Sequence, residues 1–132
     1  MFRKEGPIDI KKDNIINTLP FMEKEFSISF ELFIEKFTGD DWTNILHMTT
    51  DGNSGWGARI PFVGVSKDKD LHVTSAISGN WNNVGNIKDY KLVENKWIKV
   101  DISQNLNDGK VCVVTQFLIR IIWIELAKDE DL

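Results

Sequence analysis

Four groups of residues in this 132-residue chain are candidates for chemistry, and three of them weaken when their spacing is examined. Glu31 and Glu35 flank Phe33 in an alternating stretch, and a period of two puts all three on one face of a strand. A retaining glycosidase holds its carboxyls about 5–5.5 Å apart. Cα atoms four residues apart on a regular strand are about 13 Å apart. Phe33 between them can neither hold a proton nor tune a neighbouring acid, so the stretch predicts a solvated polar face and no hydrolytic pair. His47 and His72 lie in separate strand-like runs, and Cys112 is the single cysteine. With no third nitrogen ligand in view, they predict no zinc site, and no nucleophile elbow accompanies them. Asp51-Gly52-Asn53-Ser54-Gly55 offers oxygens at alternate positions, so Asp51 and Asn53 are the candidate calcium ligands, with Asp68 and Asp70 as contributors from a neighbouring loop. The run lacks the distal glutamate of a twelve-residue calcium loop, and the same residues make an ordinary turn. No cofactor is otherwise expected.

The fourth group binds without reacting. Trp56, Arg59, Asn80, Trp81, Asn82 and Asn83 cluster in two turn-rich stretches. Sugars are recognised by an apolar ring face stacked on an aromatic and by hydroxyls paired to planar amides and carboxylates. Tryptophan beside asparagine is suitable chemistry for that, and loops on a rigid scaffold are where it is commonly placed. The competing reading is that Trp81 folds back onto the core while the asparagines supply turn geometry. Trp42 and Trp97 open strands beside apolar alternation and are expected in or near the core.

The elements that must position these residues are strands. Phe26, Ile28, Phe30, Leu32 and Ile34 alternate with Ser27, Ser29, Glu31, Phe33 and Glu35, a half-buried strand. Ile8 and Ile10 alternate with charged residues ahead of the Asp13-Asn14 turn signal, and Leu19-Pro20 breaks the chain. Ile45–Thr49, Ile60–Val65, Leu71–Ile77 and Trp97–Ser103 read as further strands, with Pro61 expected at an edge or bulge. Gly79–Gly85 reads as a loop, and Asn107-Asp108-Gly109-Lys110 as a hairpin turn. From Val111 to Ala127 all but Thr115, Gln116, Arg120 and Glu125 are apolar, which predicts a strand buried on both sides or an interface. It is too short for a membrane span, and Arg120 sits at its centre.

Length predicts one domain over residues 1–132. Sixteen Lys+Arg against twenty Asp+Glu give a net charge of −4, so sequence-independent nucleic-acid binding has no electrostatic drive. Met1 leads straight into polar sequence, with no visible signal peptide.

Three stretches carry a family likeness. They are Trp42–Thr50 followed by Gly57-Ala58-Arg59-Ile60-Pro61; Leu71–Asn80; and Trp97–Gln104 before Asn107-Asp108-Gly109-Lys110. Over residues 8–110 the chain resembles the concanavalin A-like lectin/glucanase superfamily, in its laminin G-like, invertebrate extracellular branch. The resemblance implies an antiparallel two-sheet jelly-roll sandwich, a glycan or extracellular protein as ligand, calcium in some members, and an extracellular setting. Glycan-cleaving members carry Glu-x-Asp-x-Glu, where this chain has Glu31-Leu32-Phe33-Ile34-Glu35. The branch usually carries Gly-Asp-Arg, where this chain has Gly57-Ala58-Arg59. The likeness fades after Lys110, so the sandwich is expected to lack its last strands.

The expectation is therefore an all-β, non-catalytic recognition module. The alternative is an interaction domain that docks a partner chain, or a second copy of itself, by strand addition at an exposed edge or through Val111–Ala127.

Overall fold

The computed structural model describes residues 3–21, 23–38, 41–50, 52–85, 91–107 and 109–117. Alternation builds the first element, β1 (Phe26–Phe33): Leu32 is buried, and Phe26, Ile28 and Phe30 pack on the core, while Ser27, Ser29 and Glu31 face outward. The other strands are β2 (Thr43–His47), β3 (Phe62–Val65), β4 (Leu71–Ile77), β5 (Asn80–Val84), β6 (Trp97–Asn105) and β7 (Lys110–Phe117). One sheet runs β1-β6-β7 and the other β2-β3-β4-β5, with every pairing antiparallel. The protein is all-β, with no helix among the described residues and none long and apolar enough to cross a membrane.

The two sheets close on one apolar layer. Val63, Val65, Leu71, Val73 and Ile77 of the four-stranded sheet join Leu32, Ile98, Val100, Ile102 and Val111 of the three-stranded one. Burying each such side chain contributes about 1.5–3 kcal/mol, which offsets the entropy of ordering two sheets. β4 and β5 meet β7 across the layer.

Turn chemistry places β5. Ile77 pairs with Asn80, so only Ser78 and Gly79 connect β4 to β5, with φ of 55° and 74°. Two successive positive φ values give the tight turn whose twist matches a hairpin. The stretch expected as a loop, Gly79–Gly85, is thus mostly a strand. Its asparagines are tolerated because β5 is the last strand of its sheet, and no described strand pairs with its outer side. At β6–β7 the expected turn is present: Asn105 pairs with Lys110, and Gly109 (φ 63°) donates its N–H to Asn105 O at 3.1 Å. Ser78 Oγ donates to Gly109 O at 2.7 Å, tying the two turns together.

Other expectations are corrected. Residues 3–21 form no strand despite the Ile8/Ile10 alternation, and Ile8, Ile10, Ile15, Ile16, Leu19 and Phe21 are exposed. Pro7 and Pro20 remove donors there, and no described strand accepts a ladder from the segment. Pro61, expected at an edge or a bulge, leads into an interior strand, and there Ile60 and Pro61 share one partner: Ile60 N–H donates to Met48 O at 2.9 Å and Met48 N–H donates to Pro61 O at 3.0 Å, a bulge-like arrangement that asks no donor of the proline. β7 is not buried on both faces. Val111 is buried, but Val114 is 62% exposed and Cys112 is exposed, so these outward-facing side chains of β7 meet solvent. The rest of the apolar run, from residue 118 on, lies outside the described residues.

Candidate functional site

The site is built on the outer face of the four-stranded sheet. Val63 and Val73 point into the core, so alternation turns their neighbours Phe62, Gly64, His72 and Thr74 to the other side. Phe62 lies opposite Thr74, and Gly64 lies between Asn44 and His72. The Phe62 ring leans back over Gly64: a Cβ at position 64 would stand 2.7 Å from its Cζ and 3.0 Å from Thr43 O. Glycine is what lets an aromatic ring lie flat on the strand here.

Arg59 roofs that ring. It reaches the sheet from the hairpin that prolongs β2 and β3, held by Ile60 N–H to Met48 O (2.9 Å) and Thr50 N–H to Gly57 O (2.9 Å). Its Cζ stands 5.1 Å from the centre of the Phe62 ring and 5.7 Å from that of Trp81, both within cation–π range. Its Nη1 donates to Asn82 Oδ1 at 2.9 Å, and its Nε donates to Asn53 Oδ1 at 3.3 Å. Covered by Arg59 and by the edge of His47 (5.6 Å), Phe62 is only 6% exposed although it lies on the outer face. His47 Nε2 donates to Ala58 O at 2.6 Å, which fixes its protonated nitrogen and pins the hairpin.

His72 stands beside this cluster, its ring edge-on to Trp42 at 4.8 Å. Burial lowers its pKa below 6.5, and the Arg59 charge lowers it further. The folded state therefore resists a proton that the unfolded chain accepts. This contribution to stability is fully present above about pH 6.5 and is lost as pH falls through the folded pKa. Urea midpoints measured from about pH 8 to 5 are expected to show an acid decline that His72→Gln reduces; equal declines in both chains would contradict this assignment.

Of the residues predicted to bind, the structure brings together Arg59, Trp81 and Asn82. Asn80 supports them, its Oδ1 accepting Asn82 N–H at 2.9 Å. Asn83 lies opposite Ser75 in the ladder, half-buried. Trp56 stands at the hairpin tip between Gly55 and Gly57, 65% exposed, and shares no described hydrogen bond or ring contact with the cluster. Asp51 lies outside the described residues. Asn53 turns its oxygen to a guanidinium, a position that disfavours a cation, and no group of three or more His, Cys, Asp or Glu able to hold a metal occurs among the described residues.

Sequence reasoning missed Phe62, Gly64 and Trp42 as parts of this face, and considered His72 only as a metal ligand or a catalytic histidine. Trp42 was expected near the core but is 50% exposed, because it precedes β2 and lies against His72. Trp97 is half-buried against Phe33 at 5.2 Å. Glu35 lies beyond the end of β1, so it shares no strand face with Glu31, which faces Lys99 across the ladder. Thr74 is fully buried opposite Phe62, and its hydroxyl has no described hydrogen-bond partner.

Compared with known proteins, the chain matches no family model, no curated protein and no solved structure.

Proposed function

We propose that the chain is a non-catalytic recognition module that binds a glycan through Arg59, Trp81 and Asn82, on a jelly-roll sandwich of the concanavalin A-like type. One observation carries this reading: a guanidinium held by two neutral amide oxygens beside a half-buried tryptophan at the sheet edge. Amides and guanidinium pair with hydroxyls and acidic groups, while the indole offers an apolar face to a sugar ring. Arg59, Trp81 and Asn82 are already held by mutual contacts, so little ordering is required on binding. No bond is made or broken, and an extracellular setting fits such a ligand.

The test is thermal unfolding with a pooled panel of oligosaccharides. A ligand at about 100 times its Kd adds about 2.7 kcal/mol to the folded state. The midpoint of the wild-type chain is expected to rise, and Trp81→Ala is expected to remove the rise while keeping a cooperative transition. A panel without effect on the wild type would overturn the reading.

A second reading has its own observation. β7 is the last strand of its sheet, and no described strand pairs with its far edge. Unpaired main-chain groups there would accept a partner strand. That reading expects sugar-independent self-association, visible by sedimentation.

A further inference from the structure

The charge on Arg59 narrows the ligand. Its two described hydrogen bonds go to neutral amide oxygens, and among the described residues it makes no ion pair. Its other two contacts are ring faces, which stabilise a cation without neutralising it. The remaining N–H groups of a planar guanidinium match the two oxygens of a carboxylate. The same fixed fork separates this site from a lysine-lined surface, which presents a point charge. Asn53 and Asn82 hold the guanidinium through neutral oxygens, which orient it without cancelling its charge. The chain as a whole carries −4, so it has no broad field to gather a polyanion. Recognition has to be local, one acidic group at a time.

We propose that Arg59 receives the ring carboxylate of a uronic-acid residue, so that the ligand is an acidic sugar; this rests on the glycan-binding reading above. The carboxylate docks on the free edge of the guanidinium, and the sugar ring lies toward Trp81. Asn82 fixes the guanidinium plane, making it a positioning residue for this contact.

The decisive comparison uses the unmodified full chain. Uronic-acid oligosaccharides and their methyl esters are titrated calorimetrically, the ester removing the charge while keeping the ring and its hydroxyls. The acid is expected to bind roughly ten- to a hundredfold more tightly than the ester. Arg59→Gln, checked for an intact cooperative transition, is expected to bind the two alike, and Arg59→Lys is expected to recover only part of the preference. Equal affinity of acid and ester for the wild type overturns the carboxylate proposal and leaves the glycan reading standing. Preference for a sulfated neutral oligosaccharide over the uronate overturns it too. If only an acidic peptide binds, and does so through Arg59, the sugar is the wrong class and the proposal fails. Binding of no sugar at all overturns this proposal together with the reading on which it rests.

Discussion

Truncation of Ile98 to alanine is expected to lower stability by about 2–5 kcal/mol, the range for deleting a fully buried aliphatic side chain and leaving a cavity. Ile98 has no exposed surface and sits on the central strand of the three-stranded sheet, level with Leu32 on β1 and Phe117 on β7. It belongs to the layer shared with Val63 and Val73 of the opposite sheet, so its removal opens the contact that holds the two sheets together. Against a total of about 5–15 kcal/mol for a typical domain, that loss leaves a marginal fold. Val114→Ala makes the contrast. It removes a side chain that is 62% exposed on the same sheet, and its effect is expected to stay within about 0.5 kcal/mol. Urea unfolding of the two variants measures both. A loss below about 1 kcal/mol for Ile98→Ala would mean that the sheets do not close on each other at this point.

Gly64→Ala is expected to damage stability and binding together. The added methyl would meet Phe62 Cζ at 2.7 Å, Phe62 Cε1 at 2.9 Å and Thr43 O at 3.0 Å. The carbonyl belongs to the β2–β3 ladder and yields little, so the ring must move. Overpacking of this kind costs about 1–3 kcal/mol. The Phe62 ring is also the surface on which Arg59 rests, so a displaced ring withdraws one side of the guanidinium's support. Affinity for the ligand is expected to fall with stability, although Gly64 itself touches no ligand. Adding Phe62→Leu to Gly64→Ala removes the clashing ring atoms and is expected to restore part of the stability but not the affinity. Full recovery of binding in the double variant would show that Arg59 needs no aromatic floor.

The strands were legible in the sequence where one face is buried. Phe26 to Phe33 alternates because its inner side meets the core and its outer side does not, and a period of two records that difference directly. Asn80–Val84 was illegible as a strand because it lies at an edge, where asparagine and glycine are tolerated and no apolar period is imposed. The informative pair was Ser78-Gly79, whose positive φ values close the hairpin, and serine is an unusual residue in that role. Ile8 and Ile10 misled in the opposite direction: alternation without a neighbouring strand makes no ladder. Arg59, Trp81 and Asn82 were recognisable by residue type. Their convergence depends on the antiparallel register of four strands and on a hairpin that carries Arg59 back over the sheet, neither of which local spacing encodes. Phe62 and Gly64 escaped for the same reason. In the sequence they belong to a short apolar run, and only the position of β3 between β2 and β4 shows that their outer side forms a floor.

The central claim is that ligand recognition is centred on Arg59, Trp81 and Asn82. The most direct test is amide chemical-shift mapping of the full chain titrated with uronic-acid oligosaccharides. The expected result is saturable shifts concentrated at Asn53, Arg59, Phe62, Trp81 and Asn82, together with the side-chain amides of Asn53 and Asn82, and little change along β1 and β7. Saturable shifts confined to the β7 edge, or no shifts at concentrations that saturate any other site, would contradict it.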